Sequence, residues 1–286
     1  MPLTLDKIYM PLTASPYRHD KFHIEIPPCD ALKPYVRCFW GTEGIATGGG
    51  ESELERVIVI PDTCMDIILT VNFTKNKFYD NFCGLSNQSF ISWEDGSLDK
   101  FFTFGVRFYA WSVILFADDD MRGVLNSFVD SGMYFKNLRR ELCAELAECR
   151  DIFERARITE RFLLRRLENS TRMENPDVMN ALYFIIKNNG NVMVDDLCRQ
   201  VIMSKRTLER MFAVHIGASP KQMINMMRYQ MLWSDVLRPD FNVHDAVYKF
   251  GFFDQAHLLN YFRKYHSISL SEAREFARDE LSLYVK

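Results

Sequence analysis

The sequence lacks any long apolar run. None of its apolar stretches approaches the roughly 18 to 20 residues that cross a bilayer, and strand-like stretches such as residues 57–60 end at a proline or a charged residue. The first ten residues, MPLTLDKIYM, contain no basic region followed by an apolar segment, so no secretory signal is predicted. We expect a soluble, cytoplasmic chain with no membrane partner.

Paired cysteines are missing as well. The seven cysteines are odd in number, are widely scattered and form no Cys-x-x-Cys pair, which predicts reduced and mostly buried thiols. Glycine and proline are sparse, with 13 and 10 residues, whereas phenylalanine alone contributes 23. This composition excludes the collagen-like and disordered classes. We predict no cofactor, no bound metal and no catalytic residue.

The hydrophobic pattern divides the chain in two. In the first part, short β-branched or aromatic stretches alternate with turn signals, which is typical of strands. Such stretches lie at 22–26, 56–60, 65–71 and 101–108. From residue 118 onward, apolar residues recur every three or four positions, as on one face of a helix. We predict a two-domain α+β protein. It has a β-rich regulatory or sensing domain at 1–117, of barrel or cupin-like form, a helical connector suited to dimerisation at 118–170, and an all-α domain at 171–286.

The C-terminal third contains one pattern twice. In each copy a short helical stretch, a tight turn and a second helical stretch follow one another, and Phe212 and Phe262 mark equivalent positions 50 residues apart. Ser204 and Asp254 are suited to cap the second helix of each copy. Between the copies, Ser219-Pro220 opens a long helix. The pattern predicts two helix-turn-helix units joined by that helix, able to read successive major grooves.

Several residues of this repeat form a recognisable set. They are Ser204, Leu208, Arg210 and Phe212, then Gly217, Ser219 and Pro220, and finally Gly251, Phe252, Asp254, Gln255, His257, Tyr261 and Phe262. In this order the set resembles the AraC/XylS family of bacterial transcription regulators. Residues 61–68 and 105–108 are similar to the β-rich regulatory domain of one branch of that family. The resemblance implies DNA binding by both units. The chain departs from the family pattern in each of them: Ile202 stands where the family usually has a glycine in the first turn, and in the second unit Ala256, Leu258 and Asn260 replace a commoner hydroxyl residue, Phe and Arg.

The resemblance and helical geometry together assign the candidate DNA contacts. In the first unit they are Ser204, Lys205, Arg206, Thr207, Glu209 and Arg210; in the second they are Gln255, Ala256, His257, Leu259, Asn260 and Arg263. Arg206 and Arg210 share a helix face, so either can donate two hydrogen bonds to guanine. Leu259 offers an apolar contact, for instance to a thymine methyl, whereas His257 is typical of a packing or capping residue. We predict that the first unit reads bases more strongly than the second.

The sequence thus predicts a sequence-specific DNA-binding transcription regulator and not an enzyme. Its expected partners are operator or promoter double-stranded DNA, a small-molecule effector, RNA polymerase and a second copy of the chain. Two alternatives stay open: a metal-dependent, cupin-like enzyme with His19, His23 and Glu25 as ligands, and a ligand-free dimerisation domain fused to a DNA-binding module. Asp62 and Asp66 flank a turn, which favours structural use over acid–base chemistry. Residues 170–286 alone are expected to bind DNA.

The chain also lacks an excess of basic over acidic residues. The formal net charge of −3 by itself argues against a nucleic-acid partner. Residues 1–175, however, carry 21 Lys and Arg against 26 Asp and Glu, whereas residues 176–286 carry 14 against 12. We therefore expect few phosphate contacts per subunit and reliance on dimerisation or paired half-sites.

Overall fold

The computed structural model describes residues 4–12, 23–47, 56–93 and 99–277. In these residues, an antiparallel sheet of seven strands and a two-stranded ribbon are followed by nine α-helices. This arrangement confirms the β-rich and helical parts that the hydrophobic pattern predicts.

Short stretches rich in β-branched and aromatic residues form the strands. They are β1 (His23–Ile26), β2 (Val36–Thr42), β3 (Ala46–Thr47), β4 (Arg56–Val59), β5 (Cys64–Asn72), β6 (Lys77–Cys83), β7 (Phe90–Trp93), β8 (Lys100–Tyr109) and β9 (Phe128–Asp130). The main sheet has the order β1-β2-β8-β5-β6-β9, with β3 also paired to β8, and β4 pairs with β7 as a separate ribbon. The centre of the sheet is β8, which pairs with β2 on one side and β5 on the other.

The two faces of β8 differ in chemistry because successive side chains point to opposite sides of a strand. Phe102 and Phe104 are buried on one face, where the guanidinium carbon of Arg155 lies 3.6 Å from the centre of the Phe102 ring. On the other face, Gly105 leaves room for the indole of Trp40, since a Cβ at Gly105 would lie 2.2 Å from that ring. The first face forms the core beneath the connector helices.

Two amphipathic helices make up the connector, α1 (Lys136–Glu148) and α2 (Ile152–Asn169). Arg155 is 1% exposed. It donates from Nε to the Leu146 carbonyl (3.2 Å) and from Nη2 to the Cys149 carbonyl (2.7 Å), so it satisfies carbonyl groups at the end of α1. Most of the predicted apolar stripe is buried, whereas Phe153 is exposed.

Residues 118–135 depart from the helical expectation. They contain β9 and turns rather than an α-helix, and β9 pairs with β6 at the edge of the main sheet. The acidic residues at 118–120 accept hydrogen bonds from nearby backbone groups, and such local bonds compete with helix formation. The helical period therefore corresponds to α-helices only from Lys136 onward.

Seven helices form the C-terminal part of the described chain. They are α3 (Pro176–Lys187), α4 (Val194–Gln200), α5 (Lys205–His215), α6 (Pro220–Val236), α7 (Val243–Lys249), α8 (Gln255–His266) and α9 (Leu270–Phe276). Side-chain caps begin several of these helices: Asn175 accepts from the N–H groups of Asp177 and Val178 at the start of α3. Ser219 and Ser269 each form a capping box with the residue three positions further on. Because these signals are local, the helix starts follow the sequence closely.

The hydrophobic core is not divided where the sequence pattern changes. One cluster of buried residues runs from the sheet through α1 and α2 to α3, α4, α5 and α6. A second cluster holds the helices of the second repeat together and includes Ile60, which follows β4 and is 1% exposed. The sheet domain thus contributes a side chain to the core of the C-terminal helices.

Candidate nucleic-acid interface

The first unit consists of α4, a short turn and α5. Ile202 in the turn has a φ of +55°, in the left-handed region that favours glycine. The N–H of Met203 donates to the Cys198 carbonyl (2.9 Å) and closes the turn. Ser204 then accepts from the Thr207 N–H (3.2 Å) as the N-cap of α5. The turn therefore has the backbone form that a glycine would supply, although its residue is isoleucine.

The outward face of α5 carries the predicted contacts of the first unit. Leu208 and Phe212 are fully buried on the opposite face, as helical spacing requires. The exposed candidates are Ser204, Lys205, Arg206, Glu209 and Arg210, and Thr207 is half-buried. The hydroxyl groups of Ser204 and Thr207 lie 2.9 Å apart, so these two side chains hold the start of the helix. The face presents three cations and one carboxylate.

The turn of the second unit packs closely against two other segments of the chain. Gly251 has a φ of +65°, and a Cβ there would lie 2.1 Å from Cγ of Asn191, so glycine is required on both counts. The N–H of Phe252 donates to the Val247 carbonyl (2.8 Å). The Phe252 ring is buried, and its centre lies 3.9 Å from the guanidinium carbon of Arg228. The turn thus packs against both the loop after α3 and the long helix α6.

The second recognition helix, α8, begins after Asp254, which accepts from the His257 N–H (2.7 Å). The exposed candidates are Gln255, Ala256, His257, Asn260 and Arg263. Nδ1 of His257 accepts from the Phe253 N–H (3.4 Å), and its ring lies edge-on to Phe252 at 5.2 Å, so His257 supports the helix start. Leu259 is half-buried and packs against the second core. Part of its side chain therefore packs inward, and the remainder is exposed.

Three exposed apolar side chains near the turns were not among the sequence candidates. Tyr248 is 85% exposed, Phe253 90% and Ile202 91%. The spacing of the sequence contains a signal for one of them: three residues separate α4 from Ser204, whereas four separate α7 from Asp254. The longer second turn places Phe253 directly before the cap of α8.

Arg228 on α6 packs between the second unit and the loop after α3. Its guanidinium carbon lies 3.9 and 5.3 Å from the ring centres of Phe252 and Tyr261. On the other side, a Cβ at Gly190 would lie 2.4 Å from Cβ of Arg228. Tyr261 also donates to the Asn225 carbonyl (2.6 Å). Because Gly190 follows α3 and the two aromatic rings belong to the second unit, these contacts fix the second unit against α6 and the loop after α3.

Three consecutive residues connect the sheet domain to α6. Ile60 lies in the second core, and the Pro61 carbonyl accepts from Nε2 of Gln230 (2.6 Å). Asp62 is ion-paired with Arg107 on β8, and both side chains are buried. The helix that spaces the two recognition helices is therefore tied to the interior of the sheet.

Further contacts join the same two parts of the molecule. Oε1 of Gln230 accepts from the Leu12 N–H (2.9 Å), so both ends of this buried amide bind the N-terminal part. The Met121 N–H donates to the Val214 carbonyl near the end of α5 (2.9 Å). A Cβ at Gly217 would lie 2.3 Å from the Met121 carbonyl oxygen. The segment before β9 thus contacts the end of the first recognition helix.

Buried polar groups of the sheet domain surround Arg107. Trp40 donates from Nε1 to Asp66 (2.7 Å), and burial raises the pKa of Asp66 to about 7 in spite of that hydrogen bond. The Cys64 N–H donates to the Asp62 carboxylate (3.0 Å), and burial raises the pKa of the Cys64 thiol. These contacts are those of groups that hold a turn and a strand in place.

In the part of the chain that the structure describes, no three potential metal ligands come together. His23 and Glu25 lie on β1, and His19, the first residue of the metal-site alternative, lies outside the described residues. Among those same residues, no helix is long and apolar enough to cross a membrane.

Two family models match the chain. Residues 197–275 match a family described as a helix-turn-helix domain. Residues 24–130 match a family described as a domain of unknown function, DUF6597. No curated protein matches the chain significantly.

Similar solved structures include regulators from several sources. A transcriptional regulator with an AraC-type DNA-binding domain from Chromobacterium violaceum is 21% identical, with a TM-score of 0.33, over 36% of this chain and 93% of that one. ToxT from Vibrio cholerae is 12% identical, with a TM-score of 0.43, over 83% of this chain and 98% of that one. The xylose-binding transcription activator XylR is 17% identical, with a TM-score of 0.33, over 43% of this chain and 37% of that one.

The helix-turn-helix match extends from α4 to α9. It therefore contains both turns, both capped recognition helices and the long helix between them. The C-terminal part of this chain thus matches a helix-turn-helix domain over residues 197–275, and an antiparallel β-sheet domain precedes it in the chain.

Proposed function

We propose that the chain is a sequence-specific transcription regulator that binds operator or promoter DNA through α5 and α8 together. The observation that carries the proposal is that two capped helices with exposed hydrogen-bonding side chains are held to each other through α6. A helix fits the major groove, which is about 12 Å wide. Two helices in a fixed relation read two segments of groove in one binding event.

The side chains of the two helices favour different bases. On α5, Arg206 and Arg210 can each donate two hydrogen bonds to guanine, and Lys205 at the first turn is suited to a phosphate. On α8, Gln255 and Asn260 are suited to adenine. Charged donors form the stronger hydrogen bonds, so the first unit contributes the larger part of the base recognition.

The sheet domain controls this binding through the link at residues 60–62. Pro61 is hydrogen-bonded to α6, and Asp62 is paired with Arg107 in the sheet. A rearrangement inside the sheet domain is therefore transmitted to the helix that spaces the two recognition helices. An effector that binds one arrangement more tightly than the other changes operator affinity by that difference.

A groove at the edge of the sheet is the candidate effector site. It has a volume of about 990 Å³ and lies between β6, β9 and α1. Its apolar lining includes Phe78, Met133, Cys143 and Ala147, and five charged side chains also line it: Asp130, Lys136, Arg139, Arg140 and Glu148. Apolar surface combined with polar groups that fix orientation is typical of small-molecule sites.

Homodimerisation and contact with RNA polymerase complete the proposal. Residues 176–286 carry only 14 basic against 12 acidic side chains, and a second subunit doubles the number of phosphate contacts. Sedimentation of the full chain with and without operator DNA tests the dimer. Retention of purified RNA polymerase on the protein–operator complex tests the second contact.

Selection from random double-stranded DNA with the full chain tests the function itself. We expect an enriched motif of two parts about one helical turn, or roughly 34 Å, apart. The double variant Arg206→Ala/Arg210→Ala is expected to lose the preference for guanine in one part. A folded wild-type chain that enriches no motif over random duplex would contradict the proposal.

A thermal-shift screen against small metabolites tests the effector site. A compound that binds the folded state raises the melting temperature by mass action. The Ala147→Trp variant, which fills the groove, serves as the control and is expected to lose the shift. A shift that is unchanged in this variant would place the effector elsewhere.

A further inference from the structure

Phe253 is a large apolar side chain held in water. It is 90% exposed, whereas its neighbour Phe252 is 6% exposed. Burial of a phenylalanine side chain is favourable by about 1.5 to 3 kcal/mol, so full exposure leaves that free energy unused. The side chain is therefore available to an apolar surface that arrives from outside the molecule.

The backbone of Phe253 is fixed on both sides. Before it, Phe252 is anchored by the hydrogen bond to the Val247 carbonyl and by the stack on Arg228. After it, the Phe253 N–H donates to Nδ1 of His257 (3.4 Å). The outward position of the ring thus follows from a turn that packing and hydrogen bonds hold in place, and binding a partner requires little ordering of the backbone.

The position in the fold identifies the surface that Phe253 meets. It immediately precedes Asp254, the N-cap of α8, and in helix-turn-helix proteins the N-terminal residues of the recognition helix contact the base edges. Among the bases, thymine alone presents a methyl group in the major groove, and phenylalanine is one of the side chains that contact it. Ala256, exposed in the first turn of α8, extends the same apolar surface.

We infer that Phe253 is a specificity-determining residue of the second unit, which recognises thymine through its C5-methyl group. This inference rests on the proposed function and adds a contact that neither helix face supplies. Phe253 is also the more accessible apolar side chain of the second unit, because it is 90% exposed whereas Leu259 is half-buried against the second core. The second unit then recognises bases by an apolar contact with a methyl group as well as by hydrogen bonds from the amides of Gln255 and Asn260.

Single replacement of thymine by deoxyuridine in the selected operator tests the inference, because it removes only the methyl group. We expect the wild-type chain to bind about fourfold more weakly at one thymine of the second half-site, the loss that one buried methyl group predicts. The Phe253→Ala variant is expected to bind the thymine operator at least as weakly as the wild-type chain binds the uracil operator. It is expected to show no further loss of affinity when uracil replaces thymine at that position.

Matched variants separate this result from a general effect. Phe153→Ala removes another exposed phenylalanine, on α2 outside the DNA-binding domain, and is expected to keep the wild-type uracil effect. A Phe253→Ala chain that keeps the uracil effect, or that loses affinity equally for all sequences, would overturn the inference. In either case the wild-type chain still binds its operator, whereas failure of the proposed function removes that binding itself.

Discussion

Ile202 occupies a backbone conformation that its own side chain disfavours. Its φ of +55° lies in the left-handed region, which costs an ordinary residue about 1 to 2 kcal/mol. The side chain is 91% exposed, so packing does not repay this cost. The hydrogen bonds of Met203 and Ser204 on its C-terminal side hold the turn in spite of the strain. The strain lies next to the start of a recognition helix.

Replacement of Ile202 by glycine is expected to stabilise the protein. Relief of the left-handed strain outweighs the additional freedom that glycine gives to the unfolded chain, for a net gain of about 0.5 to 1 kcal/mol. Urea unfolding of the Ile202→Gly variant measures this gain. A decrease in the free energy of unfolding would show that the isoleucine makes a stabilising contact.

Gly251 is the opposite case in the second turn. An alanine there adopts a φ of +65° and brings its Cβ to 2.1 Å from Cγ of Asn191. We expect Gly251→Ala to lower the free energy of unfolding by about 1 to 3 kcal/mol. Ile202→Gly is thus expected to raise the free energy of unfolding and Gly251→Ala to lower it. Equal changes of the same sign in urea unfolding would contradict the roles given to the two turn residues.

His266 makes the stability of the second unit depend on pH. The residue is fully buried, with Nδ1 2.6 Å from the Tyr229 hydroxyl, and burial lowers its pKa to about 3. Below pH 6.5 the unfolded chain binds a proton that the folded chain does not. As the pH falls from 6.5 toward 3, the free energy of unfolding therefore decreases by up to about 1.4 kcal/mol per pH unit. Above pH 6.5 the neutral ring of His266 causes no such loss of stability.

The variant His266→Gln keeps an acceptor for Tyr229 and removes the titrating ring. We expect it to flatten the decrease in stability between pH 6.5 and about 4. Burial lowers the pKa of His215 as well, so a smaller slope of the same sign persists. A slope equal to that of the wild-type chain would exclude His266 as its main source.

The recognition helices differ as elements even though both are capped in the same way. The N-cap of α5 is Ser204 and that of α8 is Asp254. The outward face of α5 carries Arg206 and Arg210, whereas that of α8 carries mainly neutral side chains. We therefore expect the two helices to contribute differently to sequence preference and to salt dependence.

Arg206→Ala and Arg210→Ala are each expected to cost about 1 to 3 kcal/mol at a guanine position and to relax specificity there. Lys205→Ala is expected to weaken binding to all sequences alike and to reduce the salt slope by about 1, because a phosphate contact releases counterions. Fluorescence anisotropy at several salt concentrations measures both effects.

Arg157→Ala is the control for these variants. This exposed arginine lies on α2, outside the DNA-binding domain, and its removal is expected to leave affinity and salt slope nearly unchanged. If Arg206→Ala and Arg210→Ala both bind operator as the wild type does while Gln255→Ala abolishes binding, the ranking of the two helices is wrong.

The whole molecule is more tightly joined than its sequence suggests. Ile60 belongs to the core of the second unit, and the Pro61 carbonyl binds Gln230. A fragment of residues 170–286 keeps both recognition helices but loses these contacts. We therefore expect the fragment to be markedly less stable than the same helices in the full chain.

Gln230→Ala tests this connection in the full chain. The truncation leaves the Pro61 carbonyl and the Leu12 N–H without their partner, and each unsatisfied group costs about 1 to 3 kcal/mol when buried. We expect a loss of about 2 to 4 kcal/mol in the free energy of unfolding. Gln255→Ala, an equal truncation at an exposed position, is expected to change it by less than about 0.5 kcal/mol. Equal effects would show that Gln230 does not connect the two parts.

Prediction from the sequence succeeded where the determining interaction spans a few residues. The caps at Asn175, Ser204 and Asp254 are recognisable because each involves backbone groups two or three positions away. The partial burial of Leu259 against the second core is not visible in the helical spacing, and its contact with DNA stays a prediction. Residues 118–135 also differ from the helical prediction, because β9 pairs with β6, a strand distant from it in the sequence.

The sequence by itself determined the two helix-turn-helix units, their capped recognition helices and the order of the β-rich and helical parts, since these depend on local hydrogen bonds and hydrophobic period. Only the tertiary structure decided that Ile60 completes the core of the second unit, that Gln230 binds Pro61 and that Phe253 is left exposed. The contact of Gln230 with Pro61, for instance, joins residues 169 positions apart. No local pattern encodes them, because burial depends on which surfaces meet when the whole chain folds.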